Sequence, residues 1–321
     1  MRPVGTASAA NLSPLKSLLH TAAAVTVLFS VATLADHLHR YLELFSHFRL
    51  QYLFVAAALA VILYVVRSRR WALLMLGVTA INVIPISAWY LAEAKASIPT
   101  DSTIKLLLAN VYSGNEDTQK LLDLVMAEEA DIVFLLEVTD RWNRDLTALR
   151  DPYLYSLNIP RDDNFGIAAL SRHPFASARV IESLPFKYPT LIVELDIDGE
   201  AVTFVTTHPT PPIGRFGIEG RNEQLADVAA TMNTISGPRA LIGDLNTTMW
   251  GHHYRTLIEE TGLVNARHGF GIIPSWPTQL PFAMIPIDQC LVSSDFTVLN
   301  IRTGPRIGSD HLPLIVELAL P

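Results

Sequence analysis

The chain has 321 residues, half of them hydrophobic and 17% charged, with a mean hydropathy of +0.30. That composition excludes a disordered, collagen-like or disulfide-stapled protein, and the single cysteine, Cys290, makes neither an internal bridge nor a thiolate cluster. Charge is unevenly spread: residues 1–99 hold eight Lys/Arg against three Asp/Glu (net +5), and the other 222 hold sixteen against twenty-eight (net −12), which implies two different surroundings.

The first third reads as membrane. Leu18–Ala35 and Leu50–Val66 are uncharged runs of 18 and 17 residues, and Trp71–Ala92 adds 22, broken only by Asn82 and Pro85. At 1.5 Å per residue each reaches roughly 25–33 Å, the thickness of the hydrocarbon layer. Three transmembrane helices at about 18–35, 50–66 and 71–92 are therefore expected within an anchor of residues 1–95. The first run is too long for the apolar part of a signal peptide, so an uncleaved anchor is expected. Arg2 and Lys16 precede span one, and Arg67, Arg69 and Arg70 lie between spans two and three. Basic flanks face the cytoplasm, which puts the C-terminal part of this integral inner-membrane protein outside it. His37, His39 and His47 lack an accompanying carboxylate cluster and receive no role. Residues 96–102 read as a linker.

From residue 103 the pattern is mixed α/β. Short apolar runs at 105–110, 131–137, 165–171, 201–208 and 239–246 read as strands covered on both faces. The run 191–198 alternates as a half-buried antiparallel strand would. Helical spacing at Asp117–Ala130 and Arg221–Ile235 brings Leu121, Leu124 and Val125, and then Leu225, Val228 and Met232, onto single faces. The Pro/Gly-rich stretch 209–220 reads as a loop shaping access beside His208. A helix is expected to begin near His252 and His253. Strand–strand–helix order points to antiparallel-rich sheets flanked by helices.

Polar residues fall at the ends of these strands. Asn110, Glu137, His208, Asp244 and Asn246 close apolar runs; Asp288 opens another, and Asp310–His311 precede the last. An ionised carboxylate at a buried strand is costly unless paired or bound to metal. If the strands are neighbours, these groups meet at one mouth with the chemistry for phosphoester hydrolysis. Glu137 and Asp310, with the Asn110 carbonyl, suit a hard divalent cation, Mg2+ or Mn2+. Asp244 suits orientation or deprotonation of a water, and Asn246 a hydrogen bond to a phosphoryl oxygen. His311 paired with Asp288, with His208 as a second imidazole, suits support of a charged phosphorane or leaving oxygen. No phosphate loop or nucleophilic serine motif is seen, which favours water as nucleophile. Trp276 and Arg221 are candidate substrate contacts, as is Arg161. Cys290 is expected to be a buried strand residue.

LLLANVYSGN, VFLLEV, TTHP, LIGDLN, PIDQCLVS and GSDHLPL resemble, in order, the motifs of the endonuclease/exonuclease/phosphatase superfamily over residues 103–321. That superfamily holds deoxyribonuclease-like nucleases, apurinic endonucleases, neutral sphingomyelinases and inositol polyphosphate 5-phosphatases. The resemblance implies a four-layered α/β/β/α sandwich of two mixed β-sheets and divalent-metal hydrolysis of a phosphoester. It matches Asn110 and Glu137 to the metal site and Asp310 to a metal-side carboxylate. Asp244 matches the water-activating Asp, Asn246 the phosphate-binding Asn, His208 the His of the deoxyribonuclease and sphingomyelinase branches, and Asp288 with His311 the Asp–His pair. Gln289 departs from the His or Tyr that many members carry. The carboxylate assisting His208 in some branches is left among Asp162, Asp163 and Glu182.

The expected partners are a lipid bilayer and a phosphoester that is either lipid-linked or nucleic acid; no segment marks an obligate protein partner. A net charge of −12 weighs against avid duplex binding. The reading is a membrane-anchored, metal-dependent phosphoester hydrolase. The alternatives are an extracytoplasmic nuclease and a non-catalytic module that binds phosphorylated ligands.

Overall fold

The computed structural model describes residues 13–91, 102–197 and 199–320. Arg2, Lys95 and residues 96–101 of the expected linker lie outside them. The chain divides into two compact units, Met1–Ile86 and Ser87–Pro321.

The first unit is helical: α1 (Ser13–Ala32), α2 (Arg40–Ser46), α3 (Arg49–Val65) and α4 (Arg69–Leu91), the last running past the unit boundary. Small residues let the helices approach closely: Ala23, Ala56, Ala60 and Ala72 share a core with Leu59, Leu63, Met75 and Val78. Asn82 donates to Ser30 Oγ across 3.0 Å, tying α4 to α1. Leu18, Leu28, Phe54, Val61, Leu73, Leu76 and Ile84 point outward. Among the described residues two helices, Pro14–Ala32 and Arg69–Leu91, are long and apolar enough to cross a membrane. The expected middle span differs: α3 alone has 17 residues, and it meets α2 at a 62° bend, so the pair counts as a third span only if taken together. His39 caps α2 by accepting from Tyr41 N–H.

The second unit holds two six-stranded mixed sheets. In chain order the elements are β1 (Thr103–Asn110), α5 (Thr118–Glu128), β2 (Ile132–Leu136), α6 (Asp140–Asp145), β3 (Tyr155–Ile159), β4 (Ile167–Ser171), β5 (Phe175–Ser183), β6 (Tyr188–Ile197), β7 (Glu200–Thr207), α7 (Gly214–Met232), β8 (Arg239–Asp244), α8 (His252–Thr261), β9 (Val264–Asn265), β10 (Asp288–Val292), β11 (Thr297–Thr303) and β12 (Leu314–Ala319). The sheet orders are β11-β12-β1-β2-β4-β3 and β5-β6-β7-β8-β10-β9.

The strands expected to be covered on both faces are so. Along β1, Leu106 and Leu108 join Phe134, Val193, Phe204, Ile242, Cys290 and Val316 in a core drawn from both sheets. Leu107 and Ala109 turn the other way, onto Leu121, Leu124 and Val125 of α5 and Trp142 of α6. Period-two alternation thus feeds two apolar layers at once. Phe134 and Phe204, 6.2 Å between ring centroids, link the two sheets.

Each sheet has one parallel pairing, β1 with β2 and β7 with β8, and its other pairings are antiparallel. Parallel neighbours end on the same side, so Asn110, Glu137, His208 and Asp244 finish together in two pairs. The antiparallel neighbours β10 and β12 begin at that same edge. Asp288 stands opposite Asp244 in register, and Asp310–His311 lie just before β12.

One boundary differs from expectation. α7 begins at Gly214, inside the stretch read as loop, and ends at Met232 rather than Ile235. Gly214, Gly217 and Gly220 lower helix propensity and mask the start. Two of them are required by space: a Cβ on Gly217 would lie 2.4 Å from the Pro211 carbonyl oxygen, and one on Gly220 2.7 Å from the Phe186 ring.

Candidate active site

The strand-end residues meet in a cleft of about 260 Å³, lined by Glu137, Asp244, Asn246, His208, Asp310, His311 and Trp276, together with Asn164, Phe165, Pro211 and Ile287. Asn110 stands just beneath. Its amide nitrogen donates to Glu137 Oε1 (3.1 Å) and Asp244 Oδ2 (3.3 Å), while its side-chain oxygen accepts from Tyr112 N–H (3.1 Å). Asn110 therefore bridges the two sheets. Glu137 Oε2 accepts from Ser113 N–H at 3.0 Å.

Three of the cleft-lining residues hold the left-handed backbone conformation without being glycine, Glu137 at φ 61°, Asn164 at φ 68° and Asn246 at φ 50°. Non-glycine residues in that region store strain that the surrounding structure must offset, and such residues concentrate at working sites. Asn246 is pinned twice: its N–H donates to Asp244 Oδ1 (3.0 Å) and its amide nitrogen to the Pro209 carbonyl (2.9 Å).

Asp244 and His311 form the buried centre. His311 Nδ1 donates to Asp288 Oδ2 at 2.9 Å, and its Nε2 lies 3.6 Å from Asp244 Oδ2. His208 Nε2 approaches the same Asp244 oxygen at 3.4 Å. Burial works to lower the His311 pKa, but the charges of Asp288 and Asp244 and the hydrogen bond to Asp288 raise it to about 10. His208 is raised as well: burial opposes, and the hydrogen bond and charge of Asp244 win. Conversely, burial works to raise Asp244, yet His311 and His208 bring it down to about 2. The centre is a carboxylate held low between two imidazoles whose pKa values it raises.

Asp310 Oδ2 accepts from Trp276 Nε1–H at 3.0 Å, and Oδ1 is buried with no hydrogen-bond partner among the described residues. Asp244, Asp288 and His311 also form a buried group whose ligand atoms lie within 4.8 Å of one another, a composition able to hold a metal ion.

Other candidates land elsewhere. Arg221 is fully buried and donates to Asn222 Oδ1 and the Asn246 carbonyl, behind the cleft. Arg161 pairs with Asp163 and lies over the Tyr188 ring. His252 and His253 open α8 and do not line the cleft. Gln289 is fully buried, accepting from Asn265 and Arg267 and donating to the Pro286 and Thr247 carbonyls, so it is a framework residue. Cys290 lies in the shared core, and burial pushes its thiol up to about 12.

Two supports escaped the sequence reading. Ser309 Oγ donates to the Asn110 carbonyl (2.7 Å) and accepts from His311 N–H (3.0 Å). It sits inside the GSDHLPL motif, which was its only signal. Arg267, fully buried, donates to the Asp288 carbonyl (2.5 Å) and Gln289 Oε1 (2.8 Å).

The Endonuclease/Exonuclease/phosphatase family matches residues 107–311. No curated protein matches the chain. Among solved structures the chain is similar to D. rerio TDP2 complexed with single-strand DNA product (16% identity, TM-score 0.58, 68% of this chain and 100% of that one). It is also similar to sphingomyelinase C from Streptomyces griseocarneus (17%, 0.53, 67% and 99%) and to the human Nocturnin catalytic domain with bound sulfate (15%, 0.56, 70% and 97%). At such identities the likeness is one of fold.

Proposed function

Because the chain belongs to the Endonuclease/Exonuclease/phosphatase family and is therefore a phosphoester hydrolase, we propose that its cleft hydrolyses a phosphodiester with a water oriented by Asp244, on a chain held at a lipid bilayer by its N-terminal helices. The observation that carries this reading is the gathering of Glu137, Asp310, Asp244, Asn246, His208 and His311 around one cleft.

The donor set fits a divalent cation, Mg2+ or Mn2+. Hard cations prefer oxygen; Glu137 supplies a carboxylate beside Asn110, and Asp310 supplies a buried oxygen with no hydrogen-bond partner among the described residues. We place the ion on this side rather than among Asp244, Asp288 and His311, because His311 Nδ1 is already engaged with Asp288 and Asp244 Oδ2 faces both imidazoles. When bound, such an ion neutralises and polarises the phosphoryl group.

The protein's own groups do the rest. Asp244, held strongly acidic, is a weak base and acts by accepting a hydrogen bond from the attacking water. The water oxygen bonds to phosphorus as the phosphorus–ester oxygen bond breaks; the water's proton, acidic once that bond has formed, leaves through Asp244, and the departing oxygen takes a proton from His311 Nε2. His311, kept charged by Asp288, donates from Nε2 to the developing negative charge, and His208 flanks Asp244 with a second donor. Asn246, fixed by Asp244 and Pro209, presents its remaining amide hydrogen to a phosphoryl oxygen.

Residues 1–95 serve as the anchor and 103–321 as the catalytic domain, a four-layered α/β/β/α sandwich that the basic flanks place outside the cytoplasm. The anchor and the net charge of −12 support a lipid-linked phosphodiester. The DNA product held by the similar fish protein supports the second reading, an extracytoplasmic nuclease.

The test uses the full chain in nanodiscs with bis-p-nitrophenyl phosphate. Turnover is expected with Mg2+ or Mn2+, lost in EDTA and restored by excess metal; no turnover under any metal contradicts the reading and leaves a binding module. Parallel trials on plasmid DNA and on phospholipid vesicles then choose the substrate.

A further inference from the structure

Two loop tips beside the cleft present large apolar side chains to solvent. On the hairpin between β5 and β6, Leu184 is 66% and Phe186 38% exposed; at the entry to α7, Ile213 is 80% and Phe216 76% exposed. The tips adjoin, because the Phe186 ring lies against Gly220, one helical turn beyond Phe216. Aromatic rings connect this patch to the cleft. Phe186 stacks on Tyr188 (centroids 5.3 Å apart) and Tyr188 on Phe165 (3.6 Å), and Phe165 lines the cleft 5.4 Å from the His208 ring.

Single exposed apolar residues are ordinary, but a contiguous set marks a contact surface. The charges around it are mixed in sign: Arg161 pairs with Asp163 and Arg215 with Glu219, and the segment 182–187 adds one of each, Glu182 and Lys187. A nucleic acid would need a cationic track instead. The same chain carries two helices long and apolar enough to cross a membrane, which keeps a bilayer at high effective concentration. Aliphatic and aromatic tips with neutralised flanks match a zwitterionic lipid surface, where apolar side chains enter the boundary between headgroups and acyl chains.

We infer that Leu184, Phe186, Ile213 and Phe216 seat in the outer layer of a lipid bilayer, from which the cleft draws its phosphoester. The second half rests on the hydrolase reading above; the contact itself does not.

The buried Cys290 allows one label per chain. Full-length Ile213→Cys, Phe216→Cys and, as reference on α5, Gln119→Cys carry an environment-sensitive fluorophore in phosphatidylcholine nanodiscs containing nitroxide lipid. Labels at 213 and 216 are expected to be quenched several-fold more than the label at 119. Equal quenching overturns the inference, as does chain-to-chain cross-linking through position 216 without quenching, which assigns the patch to a second copy. The Ile213→Asp/Phe216→Asp double variant is expected to lose at least ten-fold in hydrolysis of phosphodiesters presented on vesicles, with its rate on bis-p-nitrophenyl phosphate unchanged. Equal loss on both substrates overturns the supply role. Absence of turnover in the unaltered chain counts against the hydrolase reading, and the quenching result decides the contact independently.

Discussion

Asp288→Asn removes a charge while keeping size, and its effect follows from the His311 environment. Burial alone would depress the imidazole; Asp288, through its charge and a 2.9 Å hydrogen bond, and Asp244 hold it near 10 instead of the ordinary 6.5. At pH 7.5 a group with that pKa is almost fully protonated. If loss of Asp288 returns it to the ordinary value, only about a tenth remains charged, a loss of roughly ten-fold in the active form. The loosened ring orientation adds to this. The assay is kcat/KM for bis-p-nitrophenyl phosphate from pH 5 to 9 at saturating Mg2+, with a thermal melt to confirm folding. The expected profile gains a new descending limb near neutrality, and activity recovers in part toward pH 5.5. A folded variant whose loss is the same at every pH refutes the assignment of His311 as a charged donor held by Asp288.

Glu137→Gln is expected to raise the Mg2+ concentration needed for half-maximal turnover and to lower activity by about 100-fold, read from metal titrations. Trp276→Phe removes the donor to Asp310 Oδ2, and the apparent metal affinity is expected to fall by about ten-fold without loss of thermal stability. Gly243→Ala would put a Cβ 2.1 Å from the Thr207 carbonyl oxygen; it forces β7 from β8, lowers the melting temperature and moves Asp244, so stability and activity fall together. Phe134→Ala empties a fully buried site between the sheets at a cost of about 3–5 kcal/mol, measured by denaturant unfolding of the second unit's tertiary signal. Asp244 titrates at about 2 rather than the ordinary 3.8, so its ionised form contributes stability in full above about pH 4 and loses it as pH falls through 2. Asp244→Asn is accordingly expected to flatten acid unfolding in that window.

Strand ends were the legible part of the site. Runs buried on both faces, such as 105–110 and 239–246, leave a clear boundary where the first polar residue appears, so Asn110 and Asp244 stood out. Pairing them in space required the parallel neighbours β1–β2 and β7–β8, which no local pattern specifies. One-sided edge strands hid better. β3, β5 and β11 bury only Ser183 and Ile301 among their side chains and leave the rest partly or fully exposed, and they carry little hydrophobic signal. Arg267 was invisible because a lone arginine in an irregular segment looks solvated, whereas here it is buried and braces Asp288. Arg221 shows the converse: basic type and nearness to the cleft suggested a substrate contact, but helix phase turns its guanidinium toward Asn222 and the Asn246 carbonyl. The direction of the Asn110 amide depends on Tyr112 N–H, a backbone partner that residue identity does not reveal.

Turnover number at saturating Mg2+ for full-length Asp244→Ala, beside the unaltered chain in the same nanodiscs, bears most directly on the cleft as a hydrolytic centre. Loss of the carboxylate that faces both imidazoles, and that we propose orients the water, should reduce kcat by about 1,000-fold, with the protein still folded. A folded variant that keeps its rate within two-fold would contradict the account.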